Sequence, residues 1–170
     1  MDFDDEESRE PEQSGSDELL SDDNLRLPEG ASILVRLHAL RAWLARRRNE
    51  ASIEIGEAAL VLQQMMESEQ QESRARRRER ERFAERLKEA REAFEAAQQS
   101  LHAYEEAEAL LEECVNHTTT GERVLAEYYL ALEELVQESA LAEVEELPRL
   151  RALYDVQHRV ERIAAPHEED

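Results

Sequence analysis

The side chains with the most capacity for chemistry are two histidines, one cysteine and their neighbouring glutamates. His102 and Glu106 are four positions apart, as are Glu113 and His117, and Cys114 precedes His117 by three. In a helix such spacings place both members of a pair on one face, and imidazole, thiolate and carboxylate groups are ligands of transition metals. Helical di-metal bundles, however, use Glu-x-x-His pairs from two helices, and no glutamate here precedes a histidine by three. Chance placement among many glutamates explains the pattern, and we expect neither metal nor cofactor.

The usual catalytic motifs are missing from the sequence. The four glycines, Gly15, Gly30, Gly56 and Gly121, are isolated, so no glycine-rich loop can cradle a phosphate. The sequence contains no HExxH, no CxxC and no nucleophile elbow. We therefore expect a protein that is not an enzyme.

The composition predicts long helices. Of the 170 residues, 37% are charged and only 5% are aromatic, with 4 glycines and 4 prolines. Few helix breakers together with abundant Glu, Ala, Leu and Arg favour helix over strand. The large apolar residues suffice for the seams between paired helices rather than for a deep globular core.

The charge is strongly negative and unevenly distributed. The formal net charge is −21, with 12 acids against 2 bases in residues 1–30 and 18 against 5 in residues 105–170. Such a polyanion is repelled by nucleic acid and by anionic membranes. We therefore expect a protein partner and no nucleic acid.

Three features predict a cytoplasmic location. The longest apolar run, residues 58–62, is far shorter than the ~20 residues of a membrane span, so no membrane insertion is expected. The start of the chain, Met1-Asp2-Phe3-Asp4-Asp5, lacks the basic and apolar regions of a signal peptide. Cys114 is the single cysteine, which excludes an intrachain disulfide.

A heptad step runs through the middle of the chain without changing phase. Apolar residues occupy it from Ile55 to Met66, polar residues interrupt it at Glu69, Ser73, Arg76 and Arg80, and apolar residues resume from Phe83 to Leu111 with the exception of Glu108. Because a turn would normally reset the phase, the pattern predicts one unbroken helix of roughly 85 Å. The predicted fold is all-α: an elongated antiparallel helical hairpin or coiled coil with a long central helix, whose residues 67–82 form a charged, arginine-rich segment.

Residues 28–66 are predicted to form an N-terminal helical hairpin. Its first helix ends in the arginines before Asn49, and Ser52 caps the second. Leu40 and Trp43 would then face Ala58, Val61 and Leu62. Because residues 49–52 are only a weak break, a single helix from residue 31 onward is the alternative.

Residues 83–163 are predicted to form an antiparallel coiled-coil hairpin with its turn at 116–121. Three threonines and Gly121 make that turn the strongest in the chain. Residues 122–147 would fold back along 116–91, and residues 149–163 along 89–75. Residues 1–27 are predicted to be a disordered acidic tail, and residues 164–170 an acidic C-terminal tail.

Two sets of residues are predicted to bind a partner. The apolar set on the first helix is Leu37, Leu40, Trp43 and Leu44, and the basic set is Arg76, Arg77, Arg78 and Arg80. The basic set has two interpretations. It is a solvated helix surface, or it binds the acidic part of a second copy or of the chain's own tail.

The leading functional hypothesis is a non-enzymatic coiled-coil adaptor or scaffold that mediates protein–protein interaction as a homodimer. The alternative is an acidic chaperone-like protein, or charge mimic, that binds a basic partner. Salt would weaken that second kind of binding, because surface attraction is screened within ~10 Å at 0.1 M. A metal-binding helical bundle is a remote third.

Overall fold

A computed structural model describes Leu27 and residues 30–71, 76–118, 120–141 and 147–164. These residues form four helices and no strand: α1 (Ile33–Gln71), α2 (Arg77–His117), α3 (Gly121–Ala140) and α4 (Leu147–Ala164). The all-α prediction is confirmed. The predicted acidic tails lie outside the described residues, apart from Leu27 and Ala164.

The two longest helices, α1 and α2, pack side by side as an antiparallel hairpin. Arg41 of α1 binds Glu112 at 2.6 Å, and Arg48 binds Glu108 at 2.7 Å. The partner number on α2 falls as the number on α1 rises, so the two helices run in opposite directions. With 39 and 41 residues, each helix is about 60 Å long at ~1.5 Å per residue.

The predicted continuous helix through residues 67–82 is wrong. The helix α1 ends at Gln71, Arg76 has an extended backbone (φ −63°, ψ 154°), and α2 begins at Arg77. Folding back pairs the two apolar stripes with each other, whereas a straight monomeric rod would leave both in water. Of the four polar heptad positions, Glu69, Arg76 and Arg80 lie where α1 ends and α2 begins, and Ser73 lies outside the described residues.

The predicted N-terminal hairpin within residues 28–66 is also wrong, and the single-helix alternative is correct over this stretch. The helix α1 continues through residues 46–52. Arginines expected to end a helix there instead reach other helices: Arg47 contacts Asp155 of α4, and Arg48 contacts Glu108 of α2. Ala51, in the same stretch of α1, is buried. Contacts with neighbouring helices thus override the weak local break.

The helices α3 and α4 complete a four-helix bundle against one half of the α1–α2 hairpin. The turn predicted at 116–121 agrees with the end of α2 and the start of α3. In α3, Tyr128 donates a buried hydrogen bond of 2.7 Å to the carbonyl oxygen of Ala107. Tyr129 donates to Glu161 of α4, and Arg149 of α4 donates to Ser139, so α3 and α4 are antiparallel.

The position predicted for α4 along residues 75–89 is wrong. Tyr104 donates to Asp155, and Arg149 pairs with Glu106 at 2.7 Å, so α4 lies beside the second half of α2. The helix starts at Leu147 with Pro148 in its first turn, where the missing N–H of proline is tolerated. Because α4 turns back along α3, it remains within the bundle.

The apolar core lies in the bundle half of the molecule. It includes Leu40, Trp43, Leu44, Tyr104, Leu111, Tyr128, Leu132, Leu153, Val156 and Val160. Its lowest-numbered members on α2 are Ala103 and Tyr104, and its last member on α1 is Ala51. Beyond these positions α1 and α2 continue as a pair for about 20 residues, or roughly 30 Å. We call this part, residues 53–71 and 77–97, the extension.

Candidate protein-interaction surface

The four apolar residues predicted to bind a partner belong to the protein's own core. Leu37, Leu40, Trp43 and Leu44 are all buried. They face α2, α3 and α4 instead of solvent, so they cannot form a free binding surface. The prediction failed because an apolar helix face has the same spacing whether it packs internally or against another protein.

Trp43 anchors the core near the point where the extension begins. Its ring meets that of Tyr104 edge-on, with centroids 6.4 Å apart and planes at 78°. The guanidinium carbon of Arg159 lies 4.9 Å from the centroid of the Trp43 ring. Such aromatic and cation–π contacts add to the energy of burial, so this part of α1 is held firmly against α2 and α4.

A polar network beside Trp43 joins three helices. Tyr104 of α2 donates a 2.7 Å hydrogen bond to Asp155 of α4, and Arg47 of α1 donates to Asp155 at 3.1 Å and to Tyr104 at 3.0 Å. Burial raises the pKa of Tyr104, and its bond to Asp155 raises it further. Burial lowers the pKa of Arg47, but the hydrogen bond to Tyr104 and the charges of Tyr104 and Asp155 together raise it above its usual value. The network therefore holds α4 at a defined position along α1 and α2.

The extension is held by one apolar seam. Leu62 and Met65 of α1 are partly exposed, whereas Phe83 and Leu87 of α2 are buried. Two helices cannot enclose such a seam on all sides. No described residue covers the face of the extension that lies in line with α3 and α4, and we call it the inner face.

A groove lies where the inner face leaves the bundle, and we call it the base groove. Its volume is about 620 Å³. Its apolar floor is formed by Ala58, Val61, Ala93, Ala96 and Ala97. Pro148 and Ala152 in the first turns of α4 line one end, and Glu54 and Glu57 line the α1 side. The other charged residues that line the groove are Arg47, Arg151 and Asp155. The groove has the position that a further helix of the α3–α4 layer would occupy.

Neighbouring residues of α1 distinguish this groove from the opposite surface. Val61 is 50% exposed and lines the base groove. Leu60 is 60% exposed and lies about 100° away around the helix, outside the groove. The two side chains therefore have similar exposure and different surroundings.

A second apolar groove follows the other edge of the seam. Ala59, Leu62, Met66 and Phe94 line it, and its volume is about 480 Å³. Its polar lining residues are Gln63, Glu67 and Glu69, and no residue of α3 or α4 lines it.

The predicted basic residues Arg76, Arg77, Arg78 and Arg80 are all exposed at the far end of the extension, and we call them the tip arginines. The side chain of Arg77 pairs with Glu81 in the next turn of the same helix at 3.2 Å. Glu54 and Glu57 make no ion pair with another described residue. The tip arginines and this glutamate pair therefore lie at opposite ends of the extension, although each end also holds groups of the other sign.

The histidines and the cysteine near residue 110 do not come together as a site. Within the described parts of the chain, no three His, Cys, Asp or Glu side chains are placed to hold a metal ion. Glu106 instead pairs with Arg149. Burial raises the pKa of Cys114, as do the nearby charges of Glu127 and Glu113, so this thiol is a weak nucleophile at neutral pH.

None of the helices in the described ranges is long and apolar enough to cross a membrane.

The base groove was not predicted because four of the five residues of its apolar floor are alanines, whose spacing does not distinguish a groove from a packed seam. The available signal was Ala93, Ala96 and Ala97 close together on α2, but a small-residue cluster alone does not show which helix approaches it. Comparison of the chain with protein-family models, with curated proteins and with solved structures finds no match.

Proposed function

We propose that this protein is a non-enzymatic scaffold that binds protein partners through its extension. The observation that carries the proposal is the length difference between the two helix pairs. The helices α1 and α2 have 39 and 41 residues, whereas α3 and α4 have 20 and 18. The shorter pair closes the core and leaves the inner face of the longer pair open.

The inner face supports association with helices. Its small side chains allow another backbone to approach closely, and Val61 supplies apolar area worth ~25 cal/mol per Å² when buried. The apolar residues of α1 and α2 recur with heptad spacing, which is typical of a coiled coil, and the two helices are antiparallel. A second pair of helices packed on this face would form a four-helix coiled coil. The proposed assembly is a homodimer or larger.

The bundle half has a separate part in this proposal. Its closed core and its ion pairs between α1 and α2 make it a rigid base. The extension then presents the binding surface at a fixed distance and angle from that base, as a scaffold requires.

Affinity capture with the full chain tests the proposal. Wild type, Val61→Arg and Leu60→Arg are compared as baits in extract of the native host. We expect partners to be retained by wild type and Leu60→Arg and lost from Val61→Arg, because only Val61 lies in the base groove. Equal capture by all three baits would contradict the proposal.

Salt separates this proposal from the acidic chaperone alternative. Binding to an apolar face persists at ~0.5 M salt, where exposed charges are largely screened. If the captured proteins are basic and are lost from all three baits at high salt, the charge-mediated alternative is favoured.

A further inference from the structure

We propose that the inner face of each extension is covered by the extension of a second copy, antiparallel, with each copy's tip arginines against the partner's Glu54 and Glu57. This inference rests on the proposed function and names its first partner. The partner is identified by length, charge and area.

The equal length of the two extensions determines how the two copies align. Both extensions are the same ~30 Å, so two of them laid head to tail along their inner faces overlap completely. The tip of one then reaches the base groove of the other, next to the start of its α4. The interface is closed and two-fold symmetric, because the tip of each copy contacts the base groove of its partner.

Charge supports the same register. Glu54 and Glu57 lie at the base-groove end of α1, with no basic residue between positions 53 and 69, while residues 76–82 at the tip contain five arginines and two glutamates. Glu67 and Glu69 of α1 also lie near the tip, so its arginines are only in slight excess there. A parallel overlap would bring tip against tip and arginine against arginine. The antiparallel overlap brings the tip arginines to Glu54 and Glu57, which lack partners among the described residues of their own chain.

Area sets the expected strength. Two helices ~10 Å apart over ~30 Å present a face of roughly 600 Å² per copy, or about 1,200 Å² in total. That is the lower limit of stable, specific interfaces. The dimer should therefore dissociate on dilution, and the charges at its two ends should matter to its stability.

Charge reversal in two complementary variants tests the arrangement. The tip variant carries Arg76→Glu, Arg77→Glu and Arg78→Glu, and the groove variant carries Glu54→Arg and Glu57→Arg. In either variant alone, like charges meet at both ends of the dimer. In a mixture, a tip-variant copy meets a groove-variant copy with opposite charges at both ends.

Sedimentation velocity of the full chains is the measurement. We expect wild type to dimerise, each variant alone to dissociate with a constant raised at least about tenfold, equivalent to ~1.4 kcal/mol, and the equimolar mixture to recover the dimer. Monomeric wild type at all concentrations, single variants that dimerise like wild type, or a mixture that stays monomeric would each overturn the inference.

Folding controls keep these outcomes interpretable. Added glutamates at the start of α2 favour the helix through its dipole, so the tip variant should keep wild-type circular dichroism. If the groove variant folds poorly, Val61→Arg replaces it, with loss of the dimer expected there and retention expected in Leu60→Arg. A monomeric wild type that still captures partners through Val61 would overturn the second-copy inference and leave the scaffold proposal standing.

Discussion

Trp43 shows how the sequence identified an apolar helix face but assigned it to partner binding instead of to the core. Its spacing with Leu37, Leu40 and Leu44 correctly predicted an apolar helix face. The sequence could not show whether that face met the same chain or another protein, because both require identical patterning. The structure places Trp43 at 2% exposure against Tyr104, which makes it a core residue.

Trp43→Ala should lower the free energy of unfolding by about 3–5 kcal/mol, as large-to-small changes of buried aromatic residues do. Leu34→Ala is the matched control, because Leu34 is on the same helix and is 74% exposed. Urea titration followed by circular dichroism measures both. Similar small effects in the two variants would place Trp43 on the surface, as the sequence had suggested.

The buried tyrosines make stability depend on alkaline pH. Burial raises the pKa of Tyr128 and of Tyr104, whereas an unfolded tyrosine ionises near pH ~10. Above that pH the unfolded chain has fewer bound protons than the folded protein, so the free energy of unfolding must fall. Below it, the contribution of both tyrosines is fully present.

We expect the free energy of unfolding to decrease between about pH 9 and pH 11, and to decrease less steeply in Tyr128→Phe. The variant also loses the hydrogen bond to Ala107, which costs about 1 kcal/mol at every pH, so the slopes are compared rather than the absolute values. Tyr154→Phe, at an exposed site in α4, is the control. Parallel slopes in wild type and Tyr128→Phe would contradict the buried placement.

At the scale of elements, the boundary between α2 and α3 was predictable and the boundary between α1 and α2 was not. The first has threonines and Gly121, which disfavour helix. The second has neither glycine nor proline between Glu69 and Arg82. Glu69 and Phe83 are 14 residues apart, two full heptads, so the stripe resumed in phase although the chain reversed. Such a coincidence arises by chance about once in seven.

Alanine substitutions at two glycines test whether the start of α3 packs against α1. A Cβ atom on Gly56 meets nothing within 4 Å, whereas one on Gly121 falls 2.7 Å from the Cγ1 atom of Ile33. Gly56→Ala should therefore stabilise the protein by about 0.5–1 kcal/mol through helix propensity. Gly121→Ala should cost about 1–3 kcal/mol, because the start of α3 must move away from α1.

Thermal unfolding of both variants beside wild type measures the difference. The opposite signs are the diagnostic feature, since helix propensity alone favours alanine at both positions. If Gly121→Ala is as stabilising as Gly56→Ala, α3 does not begin against Ile33.

At the scale of the whole molecule, the sequence predicted that the protein is all helical, but not how the helices are arranged. Local patterns fix which residues of a helix face a partner. They do not fix which helix that partner is, and the assignment of α4 to residues 75–89 failed for this reason. The base groove exists only because α3 and α4 end where α1 and α2 continue, which is a property of the assembled fold.

The most direct test of the proposed scaffold is the distance between Gln64 and Glu92, both exposed on the extension. In a Cys114→Ser background, spin labels are attached to Gln64→Cys and Glu92→Cys, and labelled chains are diluted with unlabelled ones before pulsed electron spin resonance. The antiparallel hairpin places these sites across the seam, with helix axes ~10 Å apart, so a label distance below about 25 Å is expected. A distance near 42 Å, the ~1.5 Å rise over the residues between them, would show a continuous helix without a base groove and would contradict the account.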